Sequence, residues 1–137
     1  MAGGPPDHAA TALLRGMPVV MRALGMDIML LGRLFATLTG SSTVRYRLEH
    51  VADDAYRHHH VDAVRLRLLC TYAGLGTEWI DPDGTPCRMA AFHVGIFKGT
   101  KFPDAAPRIL HRSPPVEHLP QRLRARIHLC IDQPGAF

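Results

Sequence analysis

Two observations in this sequence predict a mainly β fold, an antiparallel β-sandwich or squat barrel with two N-terminal helices packed on one sheet. Before Gly40 apolar residues recur at three- and four-residue steps, whereas from Thr43 onward the pattern changes to alternation of apolar and polar residues. Turn-forming clusters then punctuate the chain, among them Gly74-Leu75-Gly76 and Asp81-Pro82-Asp83-Gly84. A chain of 137 residues with 47% hydrophobic content supports one core and is too short for two. The expected plan is a flexible N-terminus over residues 1–6, helices over 7–40 and a β-domain over 41–137, all in one domain.

Taken in order, Asp7 is an N-cap for a short helix through Leu13 and Leu14 that Gly16 and Pro18 end. Asp27 caps a second helix whose Ile28, Leu31, Leu34, Phe35 and Leu38 form an apolar stripe, with Gly40 as the stop. Val44, Tyr46 and Leu48 alternate with Arg45, Arg47 and Glu49 in a half-buried strand. Val64 to Tyr72 is a long strand, on which Arg65 and Arg67 point away from the leucines onto a solvated face. Met89 to Phe97 is strand-like, with Gly95 marking a bulge or a close backbone approach. Lys98 to Pro107 is a loop, Arg108 to His111 a short strand, and Arg122 to Ile131 the last strand. On that last strand Leu123, Ala125, Ile127, Leu129 and Ile131 share one face. Arg122, Arg124, Arg126, His128 and Cys130 share the other, a polar face that suits a ligand cavity or water.

Charge and cysteine content narrow the setting. A formal charge of +4 permits an anionic partner without requiring one. The basic strand faces lack the interleaved aromatic residues of a nucleic-acid surface. Cys70, Cys87 and Cys130 form no C-x-x-C pair, and their odd number argues against a disulfide framework and for a reducing cytoplasm. The first residues lack the basic and apolar regions of a secretory signal, and Pro18, Arg22, Asp27 and Arg33 interrupt the most apolar window.

The chemistry concentrates at His58-His59-His60-Val61-Asp62, directly before the long strand. Histidine clusters are commonly surface decoration, but in extended backbone His60 and Asp62 point to the same side. With His111 as a third ligand from a distant strand they make a 2-His-1-carboxylate set, which leaves iron(II) open positions for oxygen chemistry. Three protein ligands and one open position also suit catalytic zinc. His58-His59-His60 holds a His-x-His spacing as well, for which Glu78 is a distant acidic partner. No Gly-rich phosphate loop, Gly-x-Ser-x-Gly elbow or His-Glu-x-x-His helix occurs.

The segments His60-Val61-Asp62, Arg65 to Tyr72, Gly76-Thr77-Glu78-Trp79, Gly95-Ile96-Phe97-Lys98-Gly99 and His111-Arg112-Ser113-Pro114-Pro115 resemble an uncharacterised bacterial family, domain of unknown function eighteen twenty-six. The resemblance runs from about Leu38 to Asp132. More distantly the chain is similar to cupin and iron(II)/2-oxoglutarate oxygenase barrels, which are double-stranded β-helices of jelly-roll type. That resemblance implies His60, Asp62 and His111 as metal ligands and Arg126 as the clamp for the distal carboxylate of 2-oxoglutarate. Arg126-Ile127-His128 stands where many such enzymes have Arg-x-Ser, and Arg122 or Arg124 serves equally as the clamp. Eight strands are reached only by splitting His58 to Tyr72 and Met89 to Phe97, so the barrel is full or reduced. The expected function is an iron(II)/2-oxoglutarate dioxygenase acting on a small molecule. The alternatives are a non-enzymatic cupin-like protein that binds metal or a small anion, and a zinc-dependent hydrolase.

Overall fold

Apolar residues at Leu24, Ile28, Leu31 and Phe35 define one face of a helix, and that face seats the helix on a sheet. This is α1 (Val19–Thr39) of the computed structural model, which describes residues 19–134. The segment 1–6 and the helix expected from Asp7 lie outside the described residues, so one of the two expected helices is present among them. α1 begins at Val19 rather than after Asp27, because the buried stripe extends back through Leu24. Asp27 is therefore mid-helix, and its carboxylate accepts a hydrogen bond from Tyr72 Oη at 2.5 Å. Leu34 and Leu38, expected in the stripe, are exposed. The helix stops at Gly40, which adopts φ 66° while Ser41 N–H donates to Ala36 O at 3.0 Å.

The chain then runs through seven strands, β1 (Arg45–Val51), β2 (Leu66–Ala73), β3 (Glu78–Ile80), β4 (Pro86–Arg88), β5 (Val94–Lys98), β6 (His111–Arg112) and β7 (Arg126–Asp132). They form two antiparallel sheets, ordered β1-β7-β2-β5 and β4-β3-β6. β7, last in sequence, lies between β1 and β2. The β3–β4 hairpin closes on the expected turn, Gly84 N–H donating to Asp81 O at 2.8 Å with Gly84 at φ 87°. The expected strand Met89 to Phe97 is split: its first half turns through Phe92, at φ 66°, before β5 begins.

Alternation along the large sheet sends two sets of residues to opposite sides. Val44, Leu68, Cys70, Tyr72, Leu129 and Ile131 pack under α1. Leu69, Phe97 and Cys130 face the interior between the sheets, where Met89 joins them and Trp79 and Ile109 pack alongside. Gly95 is a close approach, since a Cβ there would stand 2.5 Å from Met89 Cε and 2.8 Å from Phe97 Cε2. β7 starts at Arg126 and not Arg122: Pro120 leads into a single 3-10 turn over Gln121–Leu123, which holds Arg122 off the sheet. Arg67, expected on a solvated face, is only 12% exposed, because β2 is an inner strand and its second face meets the interior.

Candidate metal centre

A backbone bridge builds the site. His60 and His111 pair antiparallel outside the longer strands, His60 N–H donating to His111 O at 2.9 Å and His111 N–H to His60 O at 3.1 Å. Residues directly opposite in such a pair carry their side chains to one face, and the two imidazole centroids stand 4.7 Å apart. Asp62, two residues on, turns to the same side. Its Oδ1 is 3.4 Å from His60 Nε2 and its Oδ2 is 3.0 Å from His111 Nε2.

These donor atoms are close enough to be drawn around one ion. All lie within 4.8 Å of one another. Two ligands at right angles, each ~2.1 Å from a shared metal, are about 3 Å apart, so the 3.0 and 3.4 Å edges to Asp62 suit neighbouring positions on one ion, and a donor span of up to 4.8 Å would contract on binding. The tautomer of His60 is also set. Its Nδ1 lies 2.7 Å from the carbonyl oxygen of His58, which only accepts, so the proton sits on Nδ1 and the Nε2 lone pair faces Asp62. The contribution of His58 is this carbonyl. His111 is buried with its ring against Phe97, centroids 4.5 Å apart, and its Nδ1 has no partner.

Asp62 is held from behind by a row of charges. Arg45, Asp132 and Arg67 are in register across β1, β7 and β2. Arg45 Nη2 reaches Asp132 Oδ1 at 2.9 Å, Arg67 Nη2 reaches Asp132 Oδ2 at 2.7 Å, and Arg67 Nη1 reaches Asp62 Oδ1 at 3.0 Å. Burial on its own raises the Asp62 carboxyl, but the His111 hydrogen bond and the Arg67 charge outweigh it and hold the pKa down at about 2. Gly99 closes over the segment from the other side. Its N–H donates to Arg65 O at 2.8 Å, and Thr100 N–H donates to Asp62 O at 2.9 Å.

The triad borders a cavity of about 60 Å³ that Tyr56, Thr77, His128 and Cys130 also line. Of the three arginines singled out in the sequence, Arg122 is exposed, and Arg124 is half-buried with Nε donating to Leu119 O at 2.9 Å. Arg126 is fully buried. Its Nε donates to Leu75 O at 2.6 Å, while its Nη1 has no partner. Gly74, at φ 79°, lets the turn close on it, since a Cβ there would meet Ala125 O at 2.3 Å. Glu78 accepts from Arg88 and Arg112 at 2.6 and 2.9 Å and stands apart from the triad. The residues that sequence reasoning missed are Arg67 and Phe97. Alternation assigns their faces but carries no signal of what packs across from them.

Residues 8–132 match the family described as Protein of unknown function (DUF1826). The chain belongs to that family. The match begins well before Leu38, so α1 is part of the DUF1826 unit and not an appendage to it. No curated protein sequence matches this DUF1826 member. Among solved structures, the crystal structure of a Pseudomonas putida prolyl-4-hydroxylase is similar at a TM-score of 0.50, over 91% of this chain and 79% of that chain, with 14% sequence identity. At that identity the likeness is one of fold. The DUF1826 chain is mainly β, built of antiparallel sheets with one described helix, consistent with a cupin-like barrel.

Proposed function

We propose that this protein is an iron(II)/2-oxoglutarate-type oxygenase acting on a small molecule. The observation that carries the reading is the gathering of His60, Asp62 and His111, two imidazoles and one carboxylate, within 4.8 Å of one another, the donor set of a facial triad. The fold likeness to a prolyl-4-hydroxylase, an oxygenase of that type, supports it. Iron(II) with 2-oxoglutarate, when bound, supplies the oxygen-activating chemistry.

The rest falls to the residues of this chain. The His58 carbonyl orients His60 as a donor, Arg67 keeps Asp62 ionised, and Phe97 packs the His111 ring in place. Arg126 would hold the far carboxylate of the co-substrate through its unpaired Nη1. Burial lowers its pKa to about 10, which leaves it a cation at neutral pH. No helix among the described residues is long and apolar enough to cross a membrane. Cys70, Cys87 and Cys130 are free thiols, and we assign the protein to the reducing cytoplasm.

One observation favours a binding module without turnover: Arg67 already balances Asp62, so the cluster is satisfied without an ion. Metal analysis followed by calorimetry separates the readings. Metal-loaded wild type is expected to bind 2-oxoglutarate in preference to succinate and citrate. Arg126→Ala should weaken that binding roughly 30-fold or more while sparing the metal, since a buried charge pair is lost. Arg122→Ala and Arg124→Ala should bind as wild type. Absence of 2-oxoglutarate binding by the loaded wild type, or equal losses in all three variants, would remove the oxygenase reading. Zinc retained in place of iron, with no 2-oxoglutarate binding, would favour a hydrolase.

A further inference from the structure

Phe97, whose ring packs on His111, also lines a second cavity, a trench of about 690 Å³. The trench shares no lining residue with the cavity of the triad. Trp79, Met89, Phe97 and Ile109 give it an apolar floor. One wall is β5, the edge strand of the larger sheet, and among the described residues no strand pairs with β5 on its outer side. Antiparallel pairing alternates hydrogen-bonded and open residue pairs. Gly99 N–H donates to Arg65 O, and Phe97 and Gly95 follow at two-residue steps in the same register, so these residues turn their backbone groups toward β2. Val94, Ile96 and Lys98 therefore turn theirs outward, and all three line the trench.

An open edge of this kind is a template for another strand. The opposite edge of the sheet, β1, carries Arg45, Arg47 and Glu49, charges of the sort that keep an edge from pairing. β5 reads Val94-Gly95-Ile96-Phe97 before its one charge, Lys98, and Val94 and Ile96 are 39% and 42% exposed. The trench limits what can pair. Arg88, Met89 and the segment Pro107 to Ile109 complete its walls, so a single extended chain enters where the edge of a second folded copy, with the same walls of its own, would collide. Side chains of such a chain alternate, one set meeting the apolar floor and the other lying beside Val94 and Ile96. The rim favours acidic ends. Lys98 and Arg108 share the carboxylate of Asp104, and Arg88 and Arg112 share that of Glu78, which leaves each cluster a spare positive charge. Asp81, the acid on the lining, is engaged by Trp79 Nε1 and the Cys87 thiol.

We propose that the trench is a docking site for an extended, apolar peptide segment of another protein, acidic at its ends, which adds to the outer edge of β5 as a further strand of the larger sheet. The proposal is independent of the oxygenase reading, since the segment lies in a cavity that none of the three candidate ligands lines. Trp79 is the single tryptophan, so its fluorescence reports occupancy in the full-length protein. The probes are short capped peptides of alternating valine and threonine that end in aspartate or in lysine, together with the aspartate peptide N-methylated at alternate residues in each register. The aspartate peptide is expected to shift the Trp79 emission saturably and to slow amide exchange at Val94, Ile96 and Lys98. It should bind about threefold more tightly than the lysine peptide, in line with exposed ion pairs. Methylation in the register that faces β5 should weaken binding about tenfold, because the donors of the added strand are lost. Ile96→Pro should do the same, since it removes an N–H that β2 does not use, at a position where an edge strand accepts proline. No saturable binding by either peptide, or equal binding by both methylated forms and the parent, overturns the proposal whether or not Ile96→Pro folds. A dimer in sedimentation that Ile96→Pro converts to monomer overturns it in favour of a second copy as the occupant. Tighter binding of the lysine peptide overturns the acidic preference.

Discussion

At the scale of single residues, the neutral histidine in the interior leaves a measurable trace in stability. The folded state holds His128 at about 4, down from 6.5, with burial as the main cause. Between those values the unfolded chain binds a proton that the folded chain refuses, so stability rises with pH across that window. Lowering the pH from 6.5 toward 4 should therefore weaken the fold, and His128→Gln should flatten that part of the profile. The Asp62 contribution lies lower, present above 3.8 and lost as pH falls through about 2. Denaturant unfolding at a series of pH values checks both. A wild-type profile that stays flat from 6.5 to 4 would contradict the burial of an uncharged ring. His60, Asp62 and His111 were readable as candidate ligands because metal chemistry restricts residue type, and the fold brings the three together. Arg67 was not, because an arginine alternating with leucines has the same pattern on a solvated strand and on an inner one.

At the scale of elements, the Asp62 segment is held by a turn that admits only glycine. A Cβ on Gly99 would stand 1.9 Å from Val64 O and 2.7 Å from Asp62 O, both close contacts with backbone atoms that have no free rotation. Gly99→Ala should cost about 2 kcal/mol, as overpacking typically does, and should weaken metal binding because the displaced segment carries the candidate ligand Asp62. Gly40→Ala is the control. Its φ of 66° strains any side chain by about 1 kcal/mol, but nothing lies within 4 Å and the site is remote, so metal affinity should hold. Paired denaturant and zinc titrations distinguish the two; equal metal affinity in Gly99→Ala would show that the turn does not set Asp62. Sequence periodicity located α1 and the inner face of β7 because burial follows spacing there. It misplaced the start of α1, since a capping residue such as Asp27 also serves mid-helix when a tertiary partner, here Tyr72, accepts the cost of burying it. It also overextended β7, since Arg122 to Ala125 keep the alternation before the backbone has entered the sheet.

At the scale of the whole molecule, the centre ties the two sheets together, so an ion bound there stabilises the entire fold by mass action. Zinc at a hundred times its dissociation constant should raise the unfolding free energy by about 2.7 kcal/mol. A chelator should reverse the gain, and Asp62→Asn should show little of it. Thermal unfolding with and without zinc is the measurement, and an unchanged midpoint in wild type would speak against a site. The two-sheet plan was legible as a class, whereas the strand order was not, because pairing between distant segments leaves no local mark in composition or spacing. That order has a consequence for how the protein is made. β7 leaves the ribosome after β1 and β2, yet both depend on it for their pairing. Asp62 and His111 are themselves 49 residues apart. A chain interrupted before Arg126 would carry all three candidate ligands without Asp132, which holds Arg67 behind Asp62, so ion capture is expected to wait for β7.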